Sequence, residues 1–258
     1  MLRRNEDKKM VLILLFTYYL FVPTIAVSAE KGRDHVTCVE DSSDELPSDA
    51  VAAIIGTHSS AYIRKLFAHY MKLRGECISD REKPKYWREL KAKPELRTIT
   101  IYDAGSAQSQ AVLKIVKPVL VLYERNWDIA VIKQDAPFIG VFRQCILIVS
   151  TGLLRLVTEE ELKGFAAHEL AHECFIEELR GADRTGCFSS YHLAEFKCDL
   201  IAVMACLLLK TNPLSLASGV SRIEAYYLKN EPSILRENKH PSSQQRRRCV
   251  EMFLAKIR

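Results

Sequence analysis

The sequence predicts an α+β protein that is mainly α-helical, with a small antiparallel sheet beside the central helices. Two observations support this. Segments with apolar residues at helical spacing fill most of the chain after residue 49, and between them lie two short segments rich in Val, Ile and Phe, WDIAVIKQ and FIGVFRQCILIVSTG. With 258 residues, of which 48% are hydrophobic and 27% charged, the chain is long enough for a sizeable core.

The first 29 residues have the layout of a secretory signal peptide. Basic residues precede an apolar stretch from Met10 to Val27, and small residues follow up to Ala29, where cleavage is expected. The same stretch is nearly long enough for an uncleaved membrane anchor, so both interpretations stay open. In either case the rest of the chain is expected outside the cytosol, in the periplasm or cell envelope, with membrane association through residues 10–28 if the leader is retained.

The remaining chain divides into a polar flexible segment, residues 30–48, and one folded domain, residues 49–258, with an N-terminal helical part up to residue 97 and a core from residue 98. A helix is expected from near Asp49, then a helix or loop interrupted at Pro84 and Pro94. A further helix follows, kinked or broken near Pro118. The two strand segments come next, with a turn near Gly140 or at RQ, residues 143–144.

Four helices are expected in the second half of the domain. Thr158 and Glu161 form a capping box, which predicts a helix from there to about Arg180. The segment GADRTGCF is expected to break it before a second helix over residues 190–210. A third helix is expected to start at Pro213 and a fourth to cover residues 242–258.

The first of these helices carries the stretch FAAHELAHECF. His168 and His172 are four residues apart, so they share a helix face and their rings are close enough to hold one metal ion. Glu169 is rotated about 100° from His168, a position from which it can act as a base without being a ligand. The alternative is a pair of ordinary hydrogen-bonded core histidines.

The next helix contains YHLAEFKCDLIA, in which Glu195 and Asp199 are again four residues apart. Two carboxylates among apolar neighbours need partners, because an unpaired buried charge is costly. Glu195 is well placed to be a third metal ligand, and Asp199 to accept from the second ring nitrogen of a metal-bound histidine. The alternative for both is a solvated helix face.

These motifs, followed by KHPSSQQRRR, resemble those of the metallopeptidase family 48, the gluzincins of the HtpX, BepA and CAAX-endoprotease type, over residues 98–258. The resemblance implies a zincin-like core, one Zn²⁺ per chain and metalloendopeptidase activity. It implies His168, His172 and Glu195 as zinc ligands and Glu169 as general base. It also implies roles for three residues around them: Asp199 orients a ligand, Arg246 pairs with Asp199, and His240 donates to the transition-state oxyanion.

The resemblance also implies a substrate-binding edge strand. The family has an Asn-Ala pair leading into this strand, where the present sequence has Asp135 and Ala136. The strand segment that starts at Phe138 is therefore the candidate for pairing with an extended peptide, because an edge strand offers free amides and carbonyls.

The expected partners are protein or peptide substrates. Without the leader the formal net charge falls from +5 to +3, because four basic and two acidic residues are removed, and this charge is too mild to indicate nucleic acid. We expect protein quality control in the envelope, and the alternative is an assembly or chaperone-like factor that binds client chains with gated or little proteolysis.

Eight cysteines in an exported chain make disulfides plausible without fixing their pairing. A weaker hypothesis is that Cys38 blocks the metal as a latency switch.

Overall fold

The structure is a computed structural model that describes residues 60–185, 188–233 and 240–257. The expected leader, the polar segment 30–48 and Cys38 lie outside these residues. Among the helices that are described, none is long and apolar enough to cross a membrane. The six cysteines that the structure describes are free thiols: Cys77, Cys145, Cys174, Cys198, Cys206 and Cys249.

The described residues confirm a mainly helical α+β fold with a small sheet. The helices are α1 (Ser60–Met71), α2 (Lys83–Lys91), α3 (Ala107–Leu122), α4 (Thr151–Leu156), α5 (Glu159–Ala171), α6 (Ile176–Thr185), α7 (Phe188–Leu208), α8 (Ser215–Asn230) and α9 (Ser243–Ile257). Short 3₁₀ turns follow α2 and α5, at Pro94–Leu96 and His172–Cys174. The strands are β1 (Ile101–Tyr102), β2 (Asp128–Ile132), β3 (Ile139–Phe142) and β4 (Ile146–Ser150).

The expectation of an antiparallel sheet is wrong in one respect, because the sheet is mixed. The strand order is β1-β2-β4-β3, and β2 pairs with β4 in parallel, Asp128 opposite Ile146, while the other two pairings are antiparallel. Both β2 and β4 are buried nearly throughout, so they occupy the centre of the sheet. The less buried β3 is displaced to the edge, and β4 returns from it to lie beside β2.

The two faces of the sheet belong to two apolar cores. Alternate residues of the central strands, such as Val131 and Val149, face the larger core with α3, α5, α7 and α9. The intervening residues, such as Ile132 and Ile148, face a smaller core that α2 covers through Leu90. Both faces of the sheet are thus covered, and β3 presents the free edge beside α5.

A tight turn joins β3 to β4 at the predicted position. Arg143 and Gln144 both have positive φ, 53° and 52°, and the amide of Cys145 donates to the carbonyl of Phe142 at 3.2 Å. Such a turn matches the twist of a hairpin. The interruption expected near Pro118 is not a break, because α3 runs through this residue.

The helix expected from the capping box to Arg180 is two helices. The box is present, with the Thr158 hydroxyl accepting from the Glu161 amide at 3.2 Å and the Glu161 carboxylate accepting from the Thr158 amide at 2.8 Å. The helix ends at Ala171 and a 3₁₀ turn follows, in which the buried Glu173 accepts from Nε of Arg125 at 2.7 Å. GADRTGCF does not end the helix at Gly181, since α6 continues to Thr185.

Candidate metal centre and active site

Helix α5 and the 3₁₀ turn that follows it place the two histidines of the central motif in the interior. His168 and His172 are nearly buried, at 4% and 6% exposure, and their ring centroids lie 4.6 Å apart at an interplanar angle of 85°. A backbone contact fixes this turn of the helix, because the hydroxyl of the fully buried Tyr123 donates to the carbonyl of Ala167 at 3.0 Å. The structure therefore brings the rings together as the spacing predicts.

Glu195 reaches these rings from α7. Its Oε2 lies 3.4 Å from Nε2 of His168, and its Oε1 lies 3.7 Å from Nε2 of His172. The side chain is completely buried, and Oε1 has no hydrogen-bond partner. An anionic oxygen without a donor is costly in an interior, so this atom fits a position where a cation is bound.

The donor set fits zinc. Two imidazoles and one carboxylate are the protein ligands of a catalytic zinc site, and the ligand atoms of a tetrahedral zinc are about 3.3 Å from one another. The two distances from Glu195 to the histidines are close to this value. A carboxylate oxygen of Glu169 also lies within 4.8 Å of a ring nitrogen of each histidine.

Asp199 and Arg246 hold His168 from its other side. Nδ1 of His168 lies 2.9 Å from Oδ1 of Asp199, one helical turn after Glu195 on α7. Arg246 of α9 donates through Nε to Oδ2 of Asp199 at 2.8 Å and through Nη2 to Oδ1, which is a two-pronged ion pair. Both side chains are buried, at 0% and 6% exposure, so this pair is part of the core around the site.

The electrostatics of the buried groups favour additional positive charge. Burial alone would raise the pKa of Glu195, but His240 and the hydrogen bond from His168 hold it well below its ordinary value. Burial alone would also raise the pKa of Asp199, but the guanidinium of Arg246 lowers the pKa of this carboxyl below its ordinary value. Two ionised carboxylates thus face one permanent cation, Arg246.

The two histidines respond to this environment in opposite directions. Burial and Arg246 act to lower the pKa of His168, but its hydrogen bonds to Asp199 and Glu195 outweigh them and raise it to about 9. Burial lowers the pKa of His172 to about 3. A proton on His168 therefore supplies the missing positive charge, and a metal cation between the rings would supply it in its place.

A groove opens beside the histidines. Its lining includes Glu169 and His172, residues of the edge strand β3, and Ile176 and Leu179 of α6. Apolar residues of the smaller core, such as Leu96, also line it. An opening lined by a free strand edge suits an extended chain segment.

His240 and Tyr191 complete the lining of the groove near the carboxylate. Nδ1 of His240 lies 2.9 Å from Oε2 of Glu195, and the Tyr191 ring meets the His240 ring edge-on at 5.5 Å between centroids. Burial, and then Glu195, raise the pKa of Tyr191, so its hydroxyl stays protonated and can donate. The structure thus places His240 beside the third predicted ligand.

The residues predicted for the substrate strand separate into two groups. Phe138 lines the groove and its amide donates to Oγ of Ser150 at 2.8 Å. The carbonyl of Ala136 accepts from the same hydroxyl at 2.8 Å, and the exposed Asp135 pairs with Arg155 at 2.6 Å. Asp135 and Ala136 therefore anchor the entry to β3, while Phe138 and the strand itself face the groove.

Tyr191 and Cys198 also lie at the site, although the sequence alone does not predict a role for either of them there. Tyr191 stands four residues before Glu195, and this i, i+4 spacing was a usable signal for a shared helix face. Sγ of Cys198 lies 3.4 Å from Nδ1 of His172. No sequence signal marks this contact, because a cysteine in an apolar helix is by default a small buried hydrophobe.

Comparison with known proteins agrees with this geometry. Residues 106–227, which include the sheet strands β2 to β4, helices α5 and α7 and most of α8, match the family model described as peptidase family M48. No curated protein matches the chain. Peptidases of this family are zinc-dependent, and the cluster of His168, Glu169 and His172 lies inside the matched region. The matched region, the fold and the motifs together support membership of this chain in peptidase family M48.

Proposed function

We propose that this protein is a zinc-dependent endopeptidase that hydrolyses peptide bonds in exported or cell-envelope proteins, in the service of protein quality control. Family membership indicates metallopeptidase activity in general terms. One observation carries the finer proposal. Two histidines and the buried Glu195 converge, and His172 and Glu169 line a groove that residues of the edge strand β3 also line.

His168, His172 and Glu195 would hold one Zn²⁺. When bound, the metal supplies a Lewis acid that polarises the scissile carbonyl and acidifies a water molecule. Asp199 fixes the ring of His168 through Nδ1, and Arg246 keeps Asp199 ionised. These contacts leave Nε2 of His168 directed to the same space as Glu195.

Glu169 is the proposed general base. It follows His168 on α5, is nearly buried at 8% exposure and lines the groove. In that position its carboxylate takes a proton from the attacking water and passes it to the nitrogen of the leaving amine. The same carboxyl group thus serves both halves of the hydrolysis.

His240 is the proposed donor to the oxyanion that forms from the substrate carbonyl. Its Nδ1 is engaged with Glu195 at 2.9 Å, so donation to the substrate falls to Nε2. A proton on Nε2 would then stabilise the negative charge that develops on the substrate oxygen.

Strand β3 is the proposed docking edge for the substrate backbone. In its antiparallel pairing with β4, Gly140 is opposite Ile148, and the Ser150 amide donates to the carbonyl of Phe138. Because hydrogen-bonded and non-bonded positions alternate, the amides and carbonyls of Ile139 and Val141 point to the open edge. An extended peptide can pair with these groups beside Glu169.

The exported location rests on the sequence of residues 1–29. We propose that the leader is cleaved after Ala29, so that Glu30 becomes the first residue of the mature protein. Sequencing the N-terminus of protein recovered from the envelope fraction tests this. An N-terminus at Glu30 agrees with cleavage, and a retained leader in the membrane fraction would show an anchor instead.

The activity is tested with the full chain, unfolded casein as substrate and Glu169→Gln as the variant. We expect the variant to bind zinc like the parent and to cleave at least about 100-fold more slowly, because proton transfer by a positioned carboxylate contributes about 10²- to 10⁴-fold. Glu160→Gln is the matched control, an exposed glutamate on the same helix, and should cleave at the parental rate.

Two outcomes would oppose the proposal. Equal cleavage by Glu169→Gln and the parent would remove Glu169 as the base. A zinc-loaded parent that binds unfolded casein without cleaving it would favour the alternative, a client-binding assembly factor.

A further inference from the structure

Successive residues of α7 contact the outer ring nitrogens of the two histidines. Asp199 meets Nδ1 of His168 at 2.9 Å, and Cys198 meets Nδ1 of His172 through Sγ at 3.4 Å. Both contacts are buried, and Cys198 has no exposed surface. Each histidine is therefore held from behind by a side chain of the same helix turn, one by a carboxylate and the other by a thiol.

The inner nitrogens of both rings face Glu195. Its Oε1, which lacks a hydrogen-bond partner, is 3.7 Å from Nε2 of His172, and its Oε2 is 3.4 Å from Nε2 of His168. A histidine that binds a metal through Nε2 carries its proton on Nδ1. The Nδ1–H of His172 then points at Cys198, and the sulfur must be the acceptor.

We propose that Cys198 is a positioning residue for His172: its sulfur accepts the Nδ1 proton and fixes the ring with Nε2 directed at the metal position. This inference rests on the proposed function, because it requires His172 to be a zinc ligand. It assigns to Cys198 the role that Asp199 has toward His168.

Asp199 and Cys198 differ in their strength as hydrogen-bond acceptors. A carboxylate is a charged acceptor and makes a strong, short hydrogen bond, whereas sulfur is a weak acceptor at a longer distance. A thiol in a fully buried position is neutral, so Cys198 adds no negative charge behind His172. The site thereby keeps one strongly and one weakly polarised histidine, and α7 avoids a third buried carboxylate beside Glu195 and Asp199.

Simple packing is the rival explanation for Cys198. Its neighbours on α7 include Ala194 and Ala202, and small buried side chains allow α5 and α7 to approach closely. Cys206 on the same helix is the matched control, because it is also buried but contacts Oγ of Ser215 at 3.8 Å and not a histidine. Replacing either cysteine by alanine removes one sulfur from the core. A difference between the two variants in zinc binding would therefore reflect the hydrogen bond of Cys198 and not packing.

The experiment measures the zinc dissociation constant of the full chain by competition with a chelating dye. We expect Cys198→Ala to weaken zinc binding about 10-fold, the lower end of the range for residues that orient metal ligands. Cys198→Ser, whose hydroxyl can accept from Nδ1–H, should bind within about 3-fold of the parent. Cys206→Ala should bind zinc like the parent, with a loss of melting temperature in the metal-free state similar to that of Cys198→Ala.

The outcomes separate this inference from the proposed function. A parent that binds no zinc would overturn the proposed function and the inference together. A parent that binds zinc, with equal affinity in Cys198→Ala, would overturn the role of Cys198 alone. Equal weakening in Cys198→Ala and Cys198→Ser would also overturn it, since that result indicates packing and not hydrogen bonding.

Discussion

Arg246 and Asp199 form a buried, two-pronged ion pair across 47 residues of sequence. The pair joins α9 to α7 directly behind the site, and Nη2 of Arg246 also lies 3.2 Å from Nδ1 of His168. We therefore expect stability and the proposed metal binding to depend on the same contact.

Removing the arginine should destabilise the protein strongly. Arg246→Ala leaves the carboxylate of Asp199 buried without its cation, and we expect a loss of about 3–5 kcal/mol in the free energy of unfolding. Urea unfolding of the metal-free protein measures this. Arg247→Ala is the control, because Arg247 is half exposed and 3.8 Å from Glu251, and it should change stability by less than about 0.5 kcal/mol. Equal effects of the two variants would contradict the prediction.

Zinc should stabilise the folded chain through Glu195. At free zinc of about 100 times the dissociation constant, linkage predicts about 2.7 kcal/mol of stabilisation, or a rise of roughly 5–10 °C in melting temperature. A chelator should reverse the rise. Glu195→Ala, which removes the carboxylate between the two histidines, should show no such rise. Scanning calorimetry with zinc, with chelator and with magnesium as the control ion checks this, and a Glu195→Ala protein with the full rise would exclude Glu195 as a ligand.

Proline in the edge strand should impair catalysis more than folding. Val141→Pro removes an amide that points to the open edge of β3, where proline is tolerated. We expect kcat/KM on an extended peptide to fall about 5- to 10-fold, the value of one lost hydrogen bond. Val141→Ala shortens the side chain but keeps the amide, so its kcat/KM should stay near that of the parent. Parallel losses in both variants would point to the side chain instead.

The capping carboxylate Glu161 should contribute pH-dependent stability. Burial works against ionisation, but hydrogen bonds from Thr158, Ser218 and Arg222 outweigh it and lower the pKa of Glu161 in the folded protein. A lowered pKa means that this stability is present above the ordinary glutamate value of 4.5 and is lost as the pH falls through the folded value. Glu161→Gln should therefore cost about 1–2 kcal/mol at pH 7.

The test is urea unfolding of the parent and Glu161→Gln from pH 7 to pH 3. The difference between the two proteins should shrink below about pH 4.5. Glu159→Gln, exposed at the start of the same helix, is the control and should show a smaller difference throughout. If the difference in unfolding free energy between the parent and Glu161→Gln stays constant with pH, the shape of the side chain and not its charge causes the loss of stability.

Two helix glycines should respond to alanine with opposite signs. A β carbon at Gly219 of α8 would lie 2.5 Å from the buried ring of Phe165, so Gly219→Ala should destabilise the protein by about 1–3 kcal/mol through overpacking. At Gly181 of α6 the nearest atom is 4.0 Å away, at the end of the Arg184 side chain. Gly181→Ala should therefore stabilise the protein by about 0.5–1 kcal/mol. Thermal unfolding measures both, and a destabilised Gly181→Ala would contradict the prediction.

Spacing along helices made much of the site predictable. His168, His172, Glu195 and Asp199 were found because residues four apart share a helix face, and the structure brings their side chains together. The helical content, the strands and the hairpin turn were also accessible, because they follow from local patterns of apolar residues, glycine and capping groups.

The features that could not be predicted from the sequence depend on contacts between residues far apart in the chain. The contact of Glu173, just after the end of α5, with Arg125 spans 48 residues, and no local glycine or proline marks the end of this helix. The parallel pairing of β2 with β4 depends on which strand is buried on both faces, a property of the whole core. The contact between Cys198 and His172 likewise appears only when α7 packs on α5.

The placement of Arg246 on α9 also has a consequence for the order of folding. The contact from α9 to His168 spans 78 residues, and contacts so distant in sequence tend to form after local ones. Before α9 docks, the two histidines are present but Asp199 lacks its counter-ion, Arg246. We therefore expect the candidate metal site to be complete only once α9 has docked, at the end of folding.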